Sequence, residues 1–220
     1  MGEVPSPPVP RSSRFLPSVA LAVFLALGAV NVAQEAAGFS KAWILAPAVA
    51  GLAVYLRVWP APAGAGRWDR WGLRRDNMGE ALKTYGGPTL LLGLGMLAFA
   101  LGTGRSIRGR AILLLLALYP VWAFAQQLCF QVVLREVLEA LRAPAWLRVA
   151  GIAALFSAAH APDWPLAGLT LGAGALWAWL YGRVPNLVAV SLSHAVLGSL
   201  AYVWVLGRDP LAELGAFGSP

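Results

Sequence analysis

A chain of 220 residues in which 59% are hydrophobic and only 12% charged lacks the surface of a soluble domain, where about a quarter of the residues are charged. Its formal charge of +7 and its ten tryptophans fit a membrane protein, with Lys and Arg at the cytoplasmic face and indoles at the interface. They exclude nucleic acid as the partner, since neither a soluble basic face nor an aromatic platform accompanies the charge, and the single cysteine, Cys129, excludes an intrachain disulfide.

Residues 1–14, rich in Pro and Ser, read as a disordered cytoplasmic tail. Gly2 with Ser6 matches a myristoylation pattern too short to carry weight. The apolar run 15–33 has about the 20 residues a bilayer crossing needs. Arg11 and Arg14 before it and Asn31-Val32-Ala33 within it resemble a signal peptide, yet the run exceeds the roughly 7 to 15 residues of an h-region, so it is read as a retained first helix. A second span covers 42–58, and the basic, Trp-bearing stretch from Arg67 to Thr84 reads as interfacial. A Gly-rich third span covers 86–102 and a fourth 111–134, with Pro120 expected to kink it.

A basic connector holding Arg135, Arg142 and Arg148 leads to a fifth helix over 149–161, a sixth over 166–181 and a seventh to about Leu206, capped by Asn186. The expected fold is therefore all-α: one polytopic membrane domain, 15–208, of about seven transmembrane helices, with a C-terminal tail over 209–220. With the N-terminus inside, twelve of the seventeen Lys and Arg fall on the cytoplasmic side, as the positive-inside rule requires. The Arg105, Arg108 and Arg110 cluster is the discordant piece.

Three polar features interrupt the apolar spans. Gln126, Gln127 and Gln131 lie within six residues of the fourth span, and the chain's two histidines, His160 and His194, lie in the fifth and seventh. An unpaired amide in hydrocarbon costs several kcal/mol, on the order of 2–7, so these side chains are expected to face protein or a wet cavity. Gln127 and Gln131 share a helical face, as do Phe156 and His160; His194 stands one turn before Gly198 and three residues after Ser191.

This spacing resembles the CPBP family of intramembrane proteases, which includes type II CAAX prenyl endopeptidases and bacteriocin-processing or Abi-type proteins. Their motifs run Glu-Glu-x-x-x-Arg, Phe-x-x-x-His and His-x-x-x-Asn/Asp on successive core helices. Phe156-Ser157-Ala158-Ala159-His160 matches the second fully. His194-Ala195-Val196-Leu197-Gly198 keeps the histidine of the third but has Gly198 in place of Asn or Asp. Gln126-Gln127-Leu128-Cys129-Phe130-Gln131 stands at the first, with both acids and the arginine replaced. The CAAX-protease-like core is expected over about 110–206.

The resemblance implies a peptidase in which a first-motif glutamate activates water while the histidines polarise the scissile carbonyl. It places Gln126, Gln127, His160 and His194 at catalytic positions and Gln131, Phe156, Ser191 and Gly198 around the substrate. An amide cannot take the water's proton, and losing a general base removes on the order of 10² to 10⁴ in rate. Glu136, Glu139 and Asp163 are candidate displaced bases, though the two glutamates suit the interface beside Arg135 and Arg142, and Asp163 suits a helix cap. Cys129 is a candidate nucleophile, but a lone cysteine in an apolar helix is usually packing.

No cofactor and no metal are expected, since two imidazoles fall short of the three protein ligands catalytic zinc normally takes. A transporter would show internal repeats or discontinuous helices. Two readings stay open: an endopeptidase with weak catalysis, and a non-catalytic relative binding a membrane peptide, lipid-modified tail or partner protein. The expected setting is the bilayer of a bacterial cell membrane, with the N-terminus cytoplasmic.

Overall fold

A computed structural model describes residues 12–37, 50–51, 66–105, 107 and 110–208. Helix α1 spans Ser12–Ala36, the single turn α2 Arg67–Arg70, and α3 Met78–Gly102. Helix α4, Arg110–Gln127, runs without a break into a π-helical segment, π1, Leu128–Leu134, and on into α5, Arg135–Ala140. Then follow α6 Ala145–Ala158, α7 Trp164–Arg183, α8 Leu187–Leu200 and a second π-helical segment, π2, Ala201–Val205.

Three of these runs are long and apolar enough to cross a membrane: Met78–Gly102, Ile112–Ala140 and Leu187–Val205. Pro17–Ala33 and Ala145–Ala158 are apolar but shorter. The distribution of side chains is that of a protein solvated by hydrocarbon. Leu91, Leu113, Leu118 and Val121 stand exposed on α3 and α4, while Gln127, Gln131, Arg135, Asn186 and His194 are buried. Polar groups held inside an apolar shell satisfy one another where lipid cannot. The protein is an all-helical integral membrane protein.

Several sequence expectations shift. Of the second span, 42–58, all but residues 50 and 51 lie outside the described residues. The third helix starts at Met78, not 86, and takes in Glu80 and Lys83 from the stretch read as interfacial. Helix α4 passes through Pro120, and its irregularity comes later, as the switch to i→i+5 hydrogen bonding at Leu128. Arg135 does not sit in a surface connector: it is buried, one turn past Gln131, because the helix continues to Ala140.

The turn between α7 and α8 is fixed by a strap over residues 72–77. The Leu187 amide donates to the Gly72 carbonyl (2.8 Å), the Asn186 side chain donates to Arg74 O (3.0 Å) and Asn77 Oδ1 (2.9 Å), and Asn77 returns a bond to Pro185 O (3.1 Å). Tyr181 and Tyr85 add hydroxyl bonds to Trp71 O and Val184 O. Asn186 also caps α8 by accepting from the Ala189 amide (3.0 Å), as its side chain predicts. The strap thereby sets the start of the helix that carries His194.

Helices α6 and α7 approach closely at Gly174, where a Cβ would lie 3.1 Å from Phe156 Cδ1 and 3.2 Å from Ala153 Cα. Asp163 caps α7 by accepting from the Leu166 amide (3.3 Å). Helix α1 docks at the end of α6 through Asn31, whose side chain donates to Ala159 O (3.0 Å), and on π1 through the edge-on contact of Phe24 with Phe130.

Candidate functional site

Tyr119, Ala123 and Gln127 recur every four residues along α4 and so form one stripe. Opposite them, His194 and Gly198 form the facing stripe of α8. Gln127 Nε2 lies 3.1 Å from His194 Nδ1, and Tyr119 Oη lies 3.1 Å from His194 Nε2. The imidazole is thus held at both nitrogens, between two residues of one helix. With the amide nitrogen of Gln127 facing it, Nδ1 must accept; the ring proton then sits on Nε2, which donates to the tyrosine oxygen.

Three aromatic rings complete the setting of His194. Trp177 lies over it at 4.5 Å between centroids, Tyr119 meets it edge-on at 5.5 Å, and so does Phe156 at 5.5 Å. The indole is itself anchored. Trp177 Nε1 donates to Ser193 Oγ (3.0 Å), and since Thr89 spends its hydroxyl proton on Tyr85 O (2.7 Å), Ser193 donates to Thr89 Oγ1 (2.6 Å).

Phe156 brings the second histidine to the same place, with His160 on its other side, 5.1 Å away and edge-on. His160 Nδ1–H donates to the Phe156 carbonyl (2.8 Å), which makes Nε2 the acceptor nitrogen of the neutral ring. Phe130 of π1, Trp177 of α7 and His194 of α8 all meet the Phe156 ring edge-on, at 5.1, 5.9 and 5.5 Å.

The glutamines divide into two sets. Gln126 and Gln127 each carry a buried amide oxygen with no hydrogen-bond partner among the described residues. Gln131 takes no part in the histidine cluster. Its Oε1 accepts from the Arg135 guanidinium (3.3 Å), which also donates to the Ala178 carbonyl of α7 and lies 5.5 Å from the centre of the Tyr181 ring. A cation thus does serve this region, one turn beyond the position at which the motif leads one to look.

Ser191 spends its hydroxyl on Leu187 O (2.6 Å) within its own helix. Gly198 packs against Tyr119: a Cβ there would lie 2.6 Å from Cε1 of the ring. Of the other candidates, Cys129 is partly buried against the hydrophobic core, and Glu139 pairs with Arg148 (2.8 Å) at the surface. Asp163 is committed to its helix cap and to Arg208, whose hydrogen bond holds its carboxyl below the usual carboxylate range. Among the described residues, no three His, Cys, Asp or Glu side chains gather as a metal site.

The sequence does not single out Tyr119, Trp177 or Ser193, and it places Arg135 in a connector rather than beside the site. For Tyr119 a signal existed, in its place on the Gln127 stripe. For Trp177 and Ser193, on two different helices, none did.

Residues 108–200 match the family model of the type II CAAX prenyl endopeptidase, Rce1-like. The chain carries an Rce1-like domain. No curated protein and no solved structure matches the chain. The matched region holds Tyr119, Gln127, Phe156, His160, Trp177 and His194, while Thr89 lies outside it. Within this domain Gly198 and Tyr119 are fitted to each other, which yields a test. Gly198→Asn is expected to cost about 1–3 kcal/mol through overpacking in the wild type and much less when added to Tyr119→Ala, where the ring it meets is gone, in thermal unfolding in detergent. Equal losses from Gly198→Asn in the two backgrounds would refute the fit.

Proposed function

We propose that the cluster between α4, α6 and α8 binds a peptide segment within the membrane, with hydrolysis weak or absent. The observation that carries this reading is the pair of buried, unpartnered amide oxygens on Gln126 and Gln127. Buried acceptors left unpaired cost about 1–3 kcal/mol each, a cost that a peptide N–H group would relieve at the half-buried Gln126 and a water molecule at the sealed Gln127. Both groups are amides, so neither can take a proton from water as a carboxylate would. The ligand class follows from the Rce1-like domain: a membrane-borne peptide or a lipid-modified protein tail.

Slow endopeptidase activity is the second reading, and His160 favours it. With its Nδ1 proton fixed on the Phe156 carbonyl, its Nε2 is a proton acceptor on a ring beside Phe156, the residue that also contacts His194. In this reading Gln126 and Gln127 position the water, His160 and His194 work on the peptide bond, and Phe156, Gly198, Gln131 and Ser191 shape the walls.

One assay separates the two. The full-length protein in nanodiscs is incubated with a panel of membrane-tail peptides, with binding and cleavage both recorded. Binding without cleavage is the expected result. Cleavage by the wild type that His160→Ala abolishes would replace the first reading by the second.

The wider arrangement we propose is a membrane domain over 15–208, its core over 110–206, with tails over 1–14 and 209–220. It has about seven transmembrane helices, the N-terminus is cytoplasmic, and the host membrane is a bacterial cell membrane. The concentration of Lys and Arg on one side supports this topology. Labelling of single cysteines placed in each tail, in a background with Cys129 replaced, tests it: in intact cells a cysteine in 1–14 is expected to be protected from an impermeant reagent and one in 209–220, beyond the seventh span, to be labelled.

A further inference from the structure

His194 is the residue a histidine motif would nominate to touch a ligand, yet it has nothing left to offer one. It is 3% exposed, and both its ring nitrogens are engaged, Nδ1 by Gln127 and Nε2 by Tyr119. Gln127, 1% exposed, is equally sealed. Tyr119 and Gly198 are the members of this lock that keep partial exposure.

The direction of the hydrogen bonds then matters. The chain runs from the Gln127 amide N–H to His194 Nδ1, and from His194 Nε2–H to Tyr119 Oη. A phenol oxygen that accepts still has one proton to donate, and His194 is the one partner the structure gives this hydroxyl. The outward end of the relay is an O–H donor. The space for its ring is the space that Gly198 leaves, since any Cβ at 198 would meet the ring at 2.6 Å.

We infer that Tyr119 is the hydrogen-bond donor this protein presents to a carbonyl oxygen of its ligand, with Gln127 and His194 as positioning residues that aim it. The inference rests on the peptide-binding reading above and assigns the polar contact within it. It complements the unpartnered amide oxygen of the half-buried Gln126: Gln126 asks for an N–H group and Tyr119 for a C=O, the two polar groups that alternate along an extended backbone. The absence of a side chain at 198 is then part of the site, because the donor comes from the facing helix.

The test uses the full chain in nanodiscs and a fluorescent farnesylated peptide with a CAAX-type tail, for the wild type and Tyr119→Phe, which keeps the ring and its packing. Binding by Tyr119→Phe is expected to be about tenfold weaker, the scale of one lost hydrogen bond. In parallel, ¹⁵N spectra of the histidines in the ligand-free protein are expected to show His194 protonated on Nε2, with that signal moving in Tyr119→Phe. Equal binding by the two proteins would overturn the assignment and leave the peptide reading standing. A proton on His194 Nδ1 would reverse the relay and overturn it too. Failure of the wild type to bind would remove the peptide reading, and the assignment with it.

Discussion

Gln126→Glu is expected to raise hydrolysis of membrane-tail peptides by about 10²- to 10⁴-fold over the wild type, the range of general-base catalysis, whereas Gln127→Glu is expected not to. The two glutamines are neighbours in sequence but differ in employment. Gln126 has a buried amide oxygen with no partner, so a carboxylate there is uncommitted and available to a water. Gln127 holds His194 through its N–H group. A carboxylate at 127 would instead accept from Nδ1–H, drawing the ring proton across the imidazole and turning Tyr119 from acceptor to donor on His194. That carboxylate would be spent on the histidine. The measurement is initial cleavage rate with protein amount matched, alongside the thermal midpoint, since a buried carboxylate destabilises the fold. A gain in Gln127→Glu alone, or in neither variant, would sink the assignment of roles.

Gly72→Ala is expected to lower stability by about 2–4 kcal/mol, combining left-handed backbone strain with overpacking. Gly72 has φ +69°, and a Cβ would lie 2.5 Å from the Tyr181 hydroxyl and 2.9 Å from the Leu187 amide nitrogen. Leu187 N is the atom bonded to the Gly72 carbonyl, so the methyl group pushes the strap off the start of α8. Gly104 supplies the control: φ is +67°, but nothing lies within 4 Å of its Cβ position. Gly104→Ala should lose only the backbone strain, about 1 kcal/mol. Thermal unfolding in detergent reads both, and equal losses would show that the strap contact contributes nothing.

Much of the helical layout could be read from apolar run lengths, and the caps Asp163 and Asn186 from their side chains. The meeting of Gln127 with His194 was also readable, since a buried amide and a buried imidazole in an apolar protein have few other partners. Arg135 was misplaced because a positive charge near the end of a span suggests an interface; the helix in fact runs on to Ala140, and Gln131 and the Ala178 carbonyl satisfy the guanidinium inside. The start of α3 was misplaced for the mirror reason, as Glu80 and Lys83 made its first turns look like surface. Tyr119 escaped attention because its use depends on an absence, the missing side chain at 198 on another helix. Periodicity along one helix carries no record of what its neighbour lacks.

The π-helical turn at Leu128–Leu134 reaches beyond local geometry. In effect it lets one additional residue into an α-helix, and every side chain after it is offset by about 100° around the axis from where a regular helix would carry it. A motif measured as fixed spacing on a regular helix is therefore a ruler that goes out of true partway along this one. The glutamine at 131 obeys the spacing yet bonds to Arg135, while Arg135 itself breaks the spacing. In this protein, which way residues face across that turn, and not their spacing alone, decides which of them meet.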